Sequence, residues 1–359
     1  MKKLNIAYVG FGKSTNRYHI PYVKIREHFN ITRVINRSLG KRPEQAILEA
    51  EGTIFSTDIN DIIQDDSIDL VIVVTPGAAH YETSKKLLLG GKNVICDKPL
   101  VETLEQAEEL VGIAQEKKLF FMPFQNRRFD SDFLTIKKVL DTGYLGDLLD
   151  ITVTMDHYRP ADATAGKNFD GAWYGHGVHM VDQMVSLFGQ PKAVQYDIRS
   201  TRDSNAVDDY FSVNLLYTDF RATVQATELA ALKRPKWVLY GSRGTLIKEN
   251  VDQQENDLKV EIFPGSDGYG ADAPQDFAQL TYYNQNGDRI EKSIPTVLGD
   301  YGRVYDAAYE SLVNGAEKLV SDEQILTVIE TLENGFFYTL PSIKIAIHFL
   351  KELKDKMLK

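Results

Sequence analysis

The sequence predicts an α/β protein of two domains. An N-terminal doubly wound parallel sheet comes first, then an α+β domain built on a large, mainly antiparallel open sheet. Three observations predict this. Over residues 1–122, short apolar runs alternate with helical patterns, the rhythm of βα units joined by right-handed crossovers. The Gly10-Phe11-Gly12 turn falls between the first apolar run and the first helical pattern. From Ala193 to Ile294, long strand-like runs follow one another with few helical patterns between them. The expected domains are residues 1–122 and 123–359, in line with roughly 100–200 residues per domain.

In chain order, Leu4–Val9 is the first strand and Thr15–His28 the first helix. Asn30–Ile35 and Thr53–Ser56 read as strands around a helix at Pro43–Ala50, whose proline sits where a missing N–H costs nothing. Asp69–Thr75 is apolar at nearly every position, as a parallel strand covered on both faces should be. A helix at Ala79–Leu89 ends at Gly90-Gly91, and Asn93–Cys96 is the next strand. It closes on Asp97-Lys98-Pro99, where the proline biases Lys98 toward an extended backbone. Beyond the helix Thr103–Lys117 and the strand Leu119–Met122 the pattern changes. A helix at Asp130–Asp141 precedes strands at Leu149–Tyr158, Ala193–Ser200, Tyr210–Tyr217, Arg221–Leu229, Lys236–Tyr240, Lys259–Phe263, Gln279–Asn284 and Ile290–Ile294. Helices are expected at Tyr174–Phe188, Val304–Asn314 and Asp322–Leu353, the last interrupted at Pro341.

Composition narrows the function classes. A formal charge of −10 argues against nucleic acid or an anionic membrane as the main partner. No apolar run approaches the roughly 18 residues of a membrane span. The single cysteine, Cys96, excludes an internal disulfide and fits a reducing, cytoplasmic setting.

Gly10-x-Gly12-x-x-Thr15 sits where a dinucleotide fingerprint must sit, directly between strand and helix. Gly10 permits the tight turn, and Gly12 lets a pyrophosphate approach the backbone and the helix N-terminus. Thr15 stands where glycine or alanine is usual, which should loosen helix–strand packing. At the end of the second strand, Asn36-Arg37-Ser38 replaces the carboxylate expected for NAD; no Asp or Glu lies between Ile31 and Pro43. Arg37 with Ser38 suits a 2′-phosphate, hence NADP. The later polar groups are Asn126-Arg127-Arg128, Asp156-His157-Tyr158-Arg159 and the His176, His179, Asp182 helix. The last lacks the i,i+4 spacing of zinc-protease helices, so no metal site is expected there.

Taken together, Gly10-Phe11-Gly12, Thr75-Pro76-Gly77-Ala78-Ala79-His80, Asp97-Lys98-Pro99, Asn126-Arg127-Arg128-Phe129 and Gly177-x-His179-x-x-Asp182 resemble the Gfo/Idh/MocA oxidoreductase family over essentially the whole chain. Gly12-Lys13-Ser14-Thr15, Gln125-Asn126-Arg127-Arg128-Phe129-Asp130, Tyr158-Arg159-Pro160 and Asp300-Tyr301-Gly302-Arg303 resemble its branch of NADP-dependent scyllo-inositol dehydrogenases and YhhX-type oxidoreductases. The resemblance implies a Rossmann NAD(P)-binding domain and hydride transfer with a polyol, sugar or keto-inositol. It implies Lys98 and His179 as catalytic residues. Cofactor contacts would come from Gly10, Phe11, Gly12, Ser14, Thr15, Asn36, Arg37, Ser38, Thr75, Pro76, His80, Asp97, Lys98 and Asn126. Substrate contacts would come from Lys98, Arg127, Tyr158, Arg159 and His179. Many members carry aspartate four residues before that histidine, where this chain has Gly175. The same fold also serves NAD-dependent glycosidases and a cofactor-sensing repressor, which remain alternatives. A homodimer or larger homo-oligomer is expected, seated on an apolar open face of the second sheet.

Overall fold

The computed structural model describes residues 2–161 and 166–337; the expected helix beyond residue 337 and part of the polar loop at 159–171 lie outside them. Six strands build the first sheet: β1 (Leu4–Val9), β2 (Phe29–Ile35), β3 (Ile54–Ser56), β4 (Leu70–Val73), β5 (Val94–Cys96) and β6 (Phe121–Pro123). All neighbours pair in parallel, in the order β3-β2-β1-β4-β5-β6. Every residue of β4 and β5 is buried, because helices cover both sheet faces. Those helices are α1 (Ile20–Lys24), α2 (Pro43–Ala50), α3 (Asn60–Ile63), α4 (His80–Leu89) and α5 (Leu104–Lys117). Thr103 and Gln106 form a reciprocal cap at the start of α5, satisfying two otherwise orphaned N–H groups. The strand order reverses between β1 and β4, so their C-terminal ends flank the crevice where such sheets bind ligands.

The chain continues through α6 (Ser131–Asp141), β7 (Leu148–Thr154), α7 (Val178–Phe188), β8 (Ala193–Arg199), β9 (Tyr210–Leu216), β10 (Arg221–Thr227), β11 (Trp237–Gly241) and β12 (Gly244–Lys248). Then follow α8 (Gln253–Lys259), β13 (Ala278–Tyr283), β14 (Arg289–Ile294), α9 (Arg303–Asn314) and α10 (Asp322–Phe337). The second sheet has eight strands in the order β14-β13-β12-β11-β7-β10-β9-β8. It is antiparallel except where β7 meets β10.

Two compact units result. The first holds the residues up to Leu134 together with Val251–Ala273 and Thr296–Ile329; the second holds Thr135–Asn250, Pro274–Pro295 and the residues from Glu330. Late segments complete the first unit. The Tyr305 hydroxyl meets Tyr8 at 3.1 Å and His19 Nδ1 at 2.7 Å, all three residues being fully buried. Arg26 donates to Asp306 at 2.8 and 2.9 Å, to Asp300 at 2.6 Å and to the Tyr22 carbonyl at 2.9 Å. Gly302 packs against it: a Cβ there would lie 2.1 Å from the guanidinium and would displace it from these partners. In the second unit Trp173 is buried whole, its indole N–H donating to the Leu332 carbonyl at 2.8 Å.

Several local expectations are corrected. The first helix opens as a π-turn, Thr15–His19, and ends at Lys24 rather than His28. Lys259–Phe263 is not a strand: Asp252 caps α8 through the Gln254 N–H, and Val260 and Ile262 point to solvent in the turn after it. Gly244–Lys248 is a strand that the sequence pattern did not reveal. The open face of the second sheet is largely polar rather than apolar. Ser212, Asn214, Thr223 and Gln225 line it, with Thr223 bonded to Asn214 at 2.9 Å and Gln225 to Ser212 at 3.0 Å. Among the described residues, no helix is long and apolar enough to cross a membrane.

Arg26 gives this fold its first test. Its charge is buried and paired, so removing it leaves two carboxylates facing an apolar stub. Arg26→Met should lower the unfolding free energy of the full chain by about 1.5–3 kcal/mol, the scale of hydrogen bonds to charged groups, since Asp300 and Asp306 keep part of their hydration. Urea denaturation followed by fluorescence reads the loss; a change under about 0.5 kcal/mol would show the pairing to be idle.

Candidate active site

Gly10 occupies the switch point. Its N–H donates to the Ile35 carbonyl at 2.8 Å, and Val74 N–H donates to the Val9 carbonyl at 2.8 Å. Its φ of +107° and the 2.3 Å approach of the Val74 oxygen to any Cβ leave no residue but glycine. A Cβ on Gly12, by contrast, would meet nothing within 4 Å. The Thr75 hydroxyl at the end of β4 is buried with no hydrogen-bond partner among the described residues. Open backbone at Gly12 and an orphaned hydroxyl beside it fit a dinucleotide. Thr15 does not loosen the turn as expected. It is fully buried, and its hydroxyl donates to the Gly10 carbonyl at 3.0 Å, tying helix to loop. Phe11 is buried with its ring edge-on to Phe55 at 5.0 Å.

At the end of β2, Asn36 donates to the Ser38 carbonyl at 2.7 Å and shapes the loop. Arg37 is exposed and takes part in no hydrogen bond or ion pair among the described residues.

The end of β5 is a dense set of charges. Asp97 accepts from the Ser14 hydroxyl at 2.9 Å and from the Lys98 backbone N–H at 2.8 Å, with His19 Nε2 at 3.7 Å. Burial alone would push its carboxyl up, but His19, Lys98 and His80 outweigh burial and bring it down to about 2. Both oxygens are thus committed to the protein, so Asp97 and Ser14 shape the cofactor turn from behind. The Lys98 ammonium is pushed below its ordinary range by burial; Asp97 and Glu255 resist the shift and Arg127 adds to it. The Lys98–Pro99 peptide bond is cis.

His80 opens α4 and is buried. Its Nδ1 faces the Pro99 carbonyl at 2.8 Å and its Nε2 the Thr75 carbonyl at 2.8 Å. A neutral imidazole donates only one N–H, so two carbonyl acceptors require the doubly protonated ring. Burial opposes that charge, but Cys96, the Pro99 carbonyl and Asp97 overcome it and raise the ring to about 10. His80 is a bracket between the ends of β4 and β5, with neither nitrogen left for a ligand. Pro76 is exposed on the loop it holds.

Asn126 is buried in the 3-10 turn Asn126–Phe129. Arg127 donates to Asp130 at 3.2 Å and to Glu255 at 3.2 Å, and Tyr301 donates to Asp130 at 2.8 Å. Two of its nitrogens are therefore engaged inside the first unit, where the charge acts on Lys98 through space. In the second unit, His179 and Asp182 are buried one turn apart on α7. Tyr158 is exposed, and half-exposed Arg159 reaches Glu228 at 3.3 Å. A Cβ on Gly175 meets nothing within 4 Å. Gly177 has no such room, since its Cβ would lie 2.4 Å from the Trp173 ring.

Comparison with known proteins gives the family. Residues 4–124 match the NAD-binding Rossmann fold of the Gfo/Idh/MocA oxidoreductases, and residues 137–336 match their C-terminal alpha/beta domain. The chain belongs to the Gfo/Idh/MocA family. It is 42% identical over 341 residues to the uncharacterized oxidoreductase YhhX of Escherichia coli, covering 94% of this chain and 98% of that one. It is 30% identical to the scyllo-inositol 2-dehydrogenase (NADP(+)) IolW of Bacillus subtilis, covering 92% of each. A crystal structure of an oxidoreductase from Bacillus cereus superposes with a TM-score of 0.91 at 44% identity, covering 95% of this chain and 97% of that one.

As a Gfo/Idh/MocA oxidoreductase, the protein combines an NAD(P)-binding Rossmann unit with a second α/β unit. Sequence reasoning missed Glu255, which acts electrostatically on Lys98, and Glu228, which gathers His157, His176 and Arg159. Neither has a motif around it. Each is brought to its partners by the fold from more than 50 residues away.

The His80 bracket predicts how stability depends on pH. The folded-state pKa lies above the unfolded value, so its stabilisation is complete below about pH 6.5 and is lost as pH rises through about 10. Across that window the wild type should lose on the order of 2 kcal/mol or more that His80→Leu never had. Urea unfolding at stepped pH checks it: the two proteins should converge toward pH 10, and parallel curves would mean that His80 is neutral.

Proposed function

We propose that the protein is an NADP(H)-dependent dehydrogenase or reductase acting on a hydroxyl or carbonyl of a polyol, sugar or keto-inositol. The observation that carries this reading is Lys98, an ammonium weakened by burial at the C-terminal end of β5, beside the strand end that flanks the glycine turn. A nicotinamide dinucleotide held at Gly10, Gly12 and Thr75 supplies hydride acceptance and donation.

The chain's own residues handle oxygen and proton. Lys98 donates a hydrogen bond to the reacting oxygen and stabilises negative charge developing there. Its lowered pKa increases the neutral fraction near neutrality, so in the oxidation direction it can take the hydroxyl proton. Arg127 supports that state by disfavouring the Lys98 charge. Asp97 fixes the Lys98 backbone through its N–H. His179 is the second proton carrier of the reading. The name of IolW, an NADP(+) scyllo-inositol 2-dehydrogenase, supports a cyclic polyol and NADP; the exposed Arg37 with no nearby carboxylate supports the 2′-phosphate.

Arg37 tests the cofactor. Losing one arginine–phosphate contact costs about 1.5–3 kcal/mol, so Arg37→Ala should weaken NADP(H) at least about tenfold and leave NAD(H) nearly unchanged. Fluorescence titration with both cofactors reads this; equal losses would sink the 2′-phosphate assignment.

Lys98 tests the chemistry. Lys98→Ala should lower kcat by at least about a hundredfold in a screen of NADP⁺ against polyols and aldoses that includes scyllo-inositol. Dinucleotide affinity should change little. A variant that transfers hydride at the wild-type rate in single turnover would refute the site. Turnover of glycosides without net NADPH would favour the glycosidase alternative.

A further inference from the structure

The second unit gathers two imidazoles and a carboxylate that the proposed hydride chemistry does not use. His157 Nδ1 lies 3.6 Å from Glu228 Oε1, and His176 Nε2 lies 3.0 Å from the same oxygen. The three ligand atoms lie within 4.8 Å of one another. The two rings are stacked, 4.9 Å between centroids and 27° apart in plane.

The backbone holds this group rigidly. His157 N–H donates to the Thr227 carbonyl at 2.9 Å, and its carbonyl accepts from Ala230 N–H at 2.9 Å. Glu228 N–H donates to the Asp209 carbonyl at 2.9 Å, and its carbonyl accepts from Arg159 N–H at 2.7 Å. His176 comes from the π-turn Trp173–Gly177, a wide turn of the kind often found at functional sites. Both imidazoles are partly open to solvent while Glu228 is buried, so an ion has an entry path and an anionic floor.

We propose that His157, His176 and Glu228 form a binding site for a divalent transition-metal ion of the zinc class. Two neutral imidazoles and one carboxylate are a donor set for Zn²⁺, Co²⁺ or Ni²⁺, whereas Mg²⁺ and Ca²⁺ prefer oxygen ligands throughout. Bonds of about 2.0–2.1 Å put tetrahedral ligands about 3.3 Å apart; the 3.0 Å pair already meets this, the 3.6 Å pair needs to close slightly, and no pair starts more than 4.8 Å apart. His157 Nδ1 is buried with no hydrogen-bond partner among the described residues, a ring nitrogen left uncommitted beside Glu228. Arg159 pairs with Oε2 and orients the carboxylate while Oε1 faces the rings. Three protein ligands leave one tetrahedral position for water or an anion.

The test uses full-length, tag-free protein treated with chelator and titrated with Zn²⁺ by calorimetry and with Co²⁺ by visible absorption. One ion per chain should bind, with the d–d spectrum of low-coordinate Co²⁺ and a metal-dependent rise in melting temperature. His157→Ala and Glu228→Gln should each weaken Zn²⁺ at least about tenfold, and His157→Ala/His176→Ala should abolish the spectrum. His176→Gln, which keeps a side chain able to bond Glu228, guards against a folding defect. If it melts like the metal-free wild type yet loses metal, the assignment holds. No binding by the wild type, or equal binding by wild type and the double variant, would overturn the proposal.

Discussion

The Asp97 carboxylate is the contact on which the first unit's chemistry depends. It joins the helix after β1 to the end of β5 through Ser14, and it fixes the backbone of Lys98. His19, Lys98 and His80 face this carboxylate and hold it well below the range that burial alone would give it. The dependence runs in both directions. Asp97 favours the charged form of Lys98 against burial, and it helps His80 stay charged between the two strand ends. Lys98 therefore sits in a balance of opposed fields, with Asp97 and Glu255 on one side and burial and Arg127 on the other. Such a balance is how a fold sets a lysine to work near neutrality.

Two devices described at the Gly10 turn act together. Glycine at position 10 allows β1 and β4 to come close, and the Thr15 hydroxyl then locks the turn. A threonine in the third fingerprint position trades the compactness of a small residue for a specific hydrogen bond. Thr15 is also the first residue of the π-turn, one wide turn of helix.

Much of the architecture was legible because it rests on periodicity. The unbroken Leu70-Val71-Ile72-Val73 run announced a strand covered on both faces, and the chain buries every residue of it. Gly10 and Gly12 were legible because their positions depend on backbone freedom that one residue type supplies. What stayed hidden depends on long-range contact. Val260 and Ile262 alternate like a strand but follow a capped helix, and only the Asp252 cap discriminates the two. Arg127 and Arg128 read as a basic turn open to ligand. In the fold, Arg127 is bound to Asp130 and Glu255, and Arg128 donates to the Leu319 carbonyl at 2.5 Å. His80 belonged to a recognised stretch, yet its bracket between two carbonyls shows only once β4 and β5 lie side by side.

The way the first unit is completed bears on how the chain is made. Tyr8 and its partner Tyr305 are 297 residues apart in sequence. At roughly 5–20 residues per second, a ribosome releases the second some 15–60 s after the first. The first sheet is entirely synthesised by Pro123, but the rings and carboxylates that cover Tyr8, His19 and Arg26 arrive with Asp300, Tyr305 and Asp306. A nascent first unit thus spends most of translation with polar anchors unsatisfied and part of its core uncovered. A fragment ending near residue 124 would be frozen in that condition. For this protein, vectorial folding is closed by the end of the chain rather than its beginning.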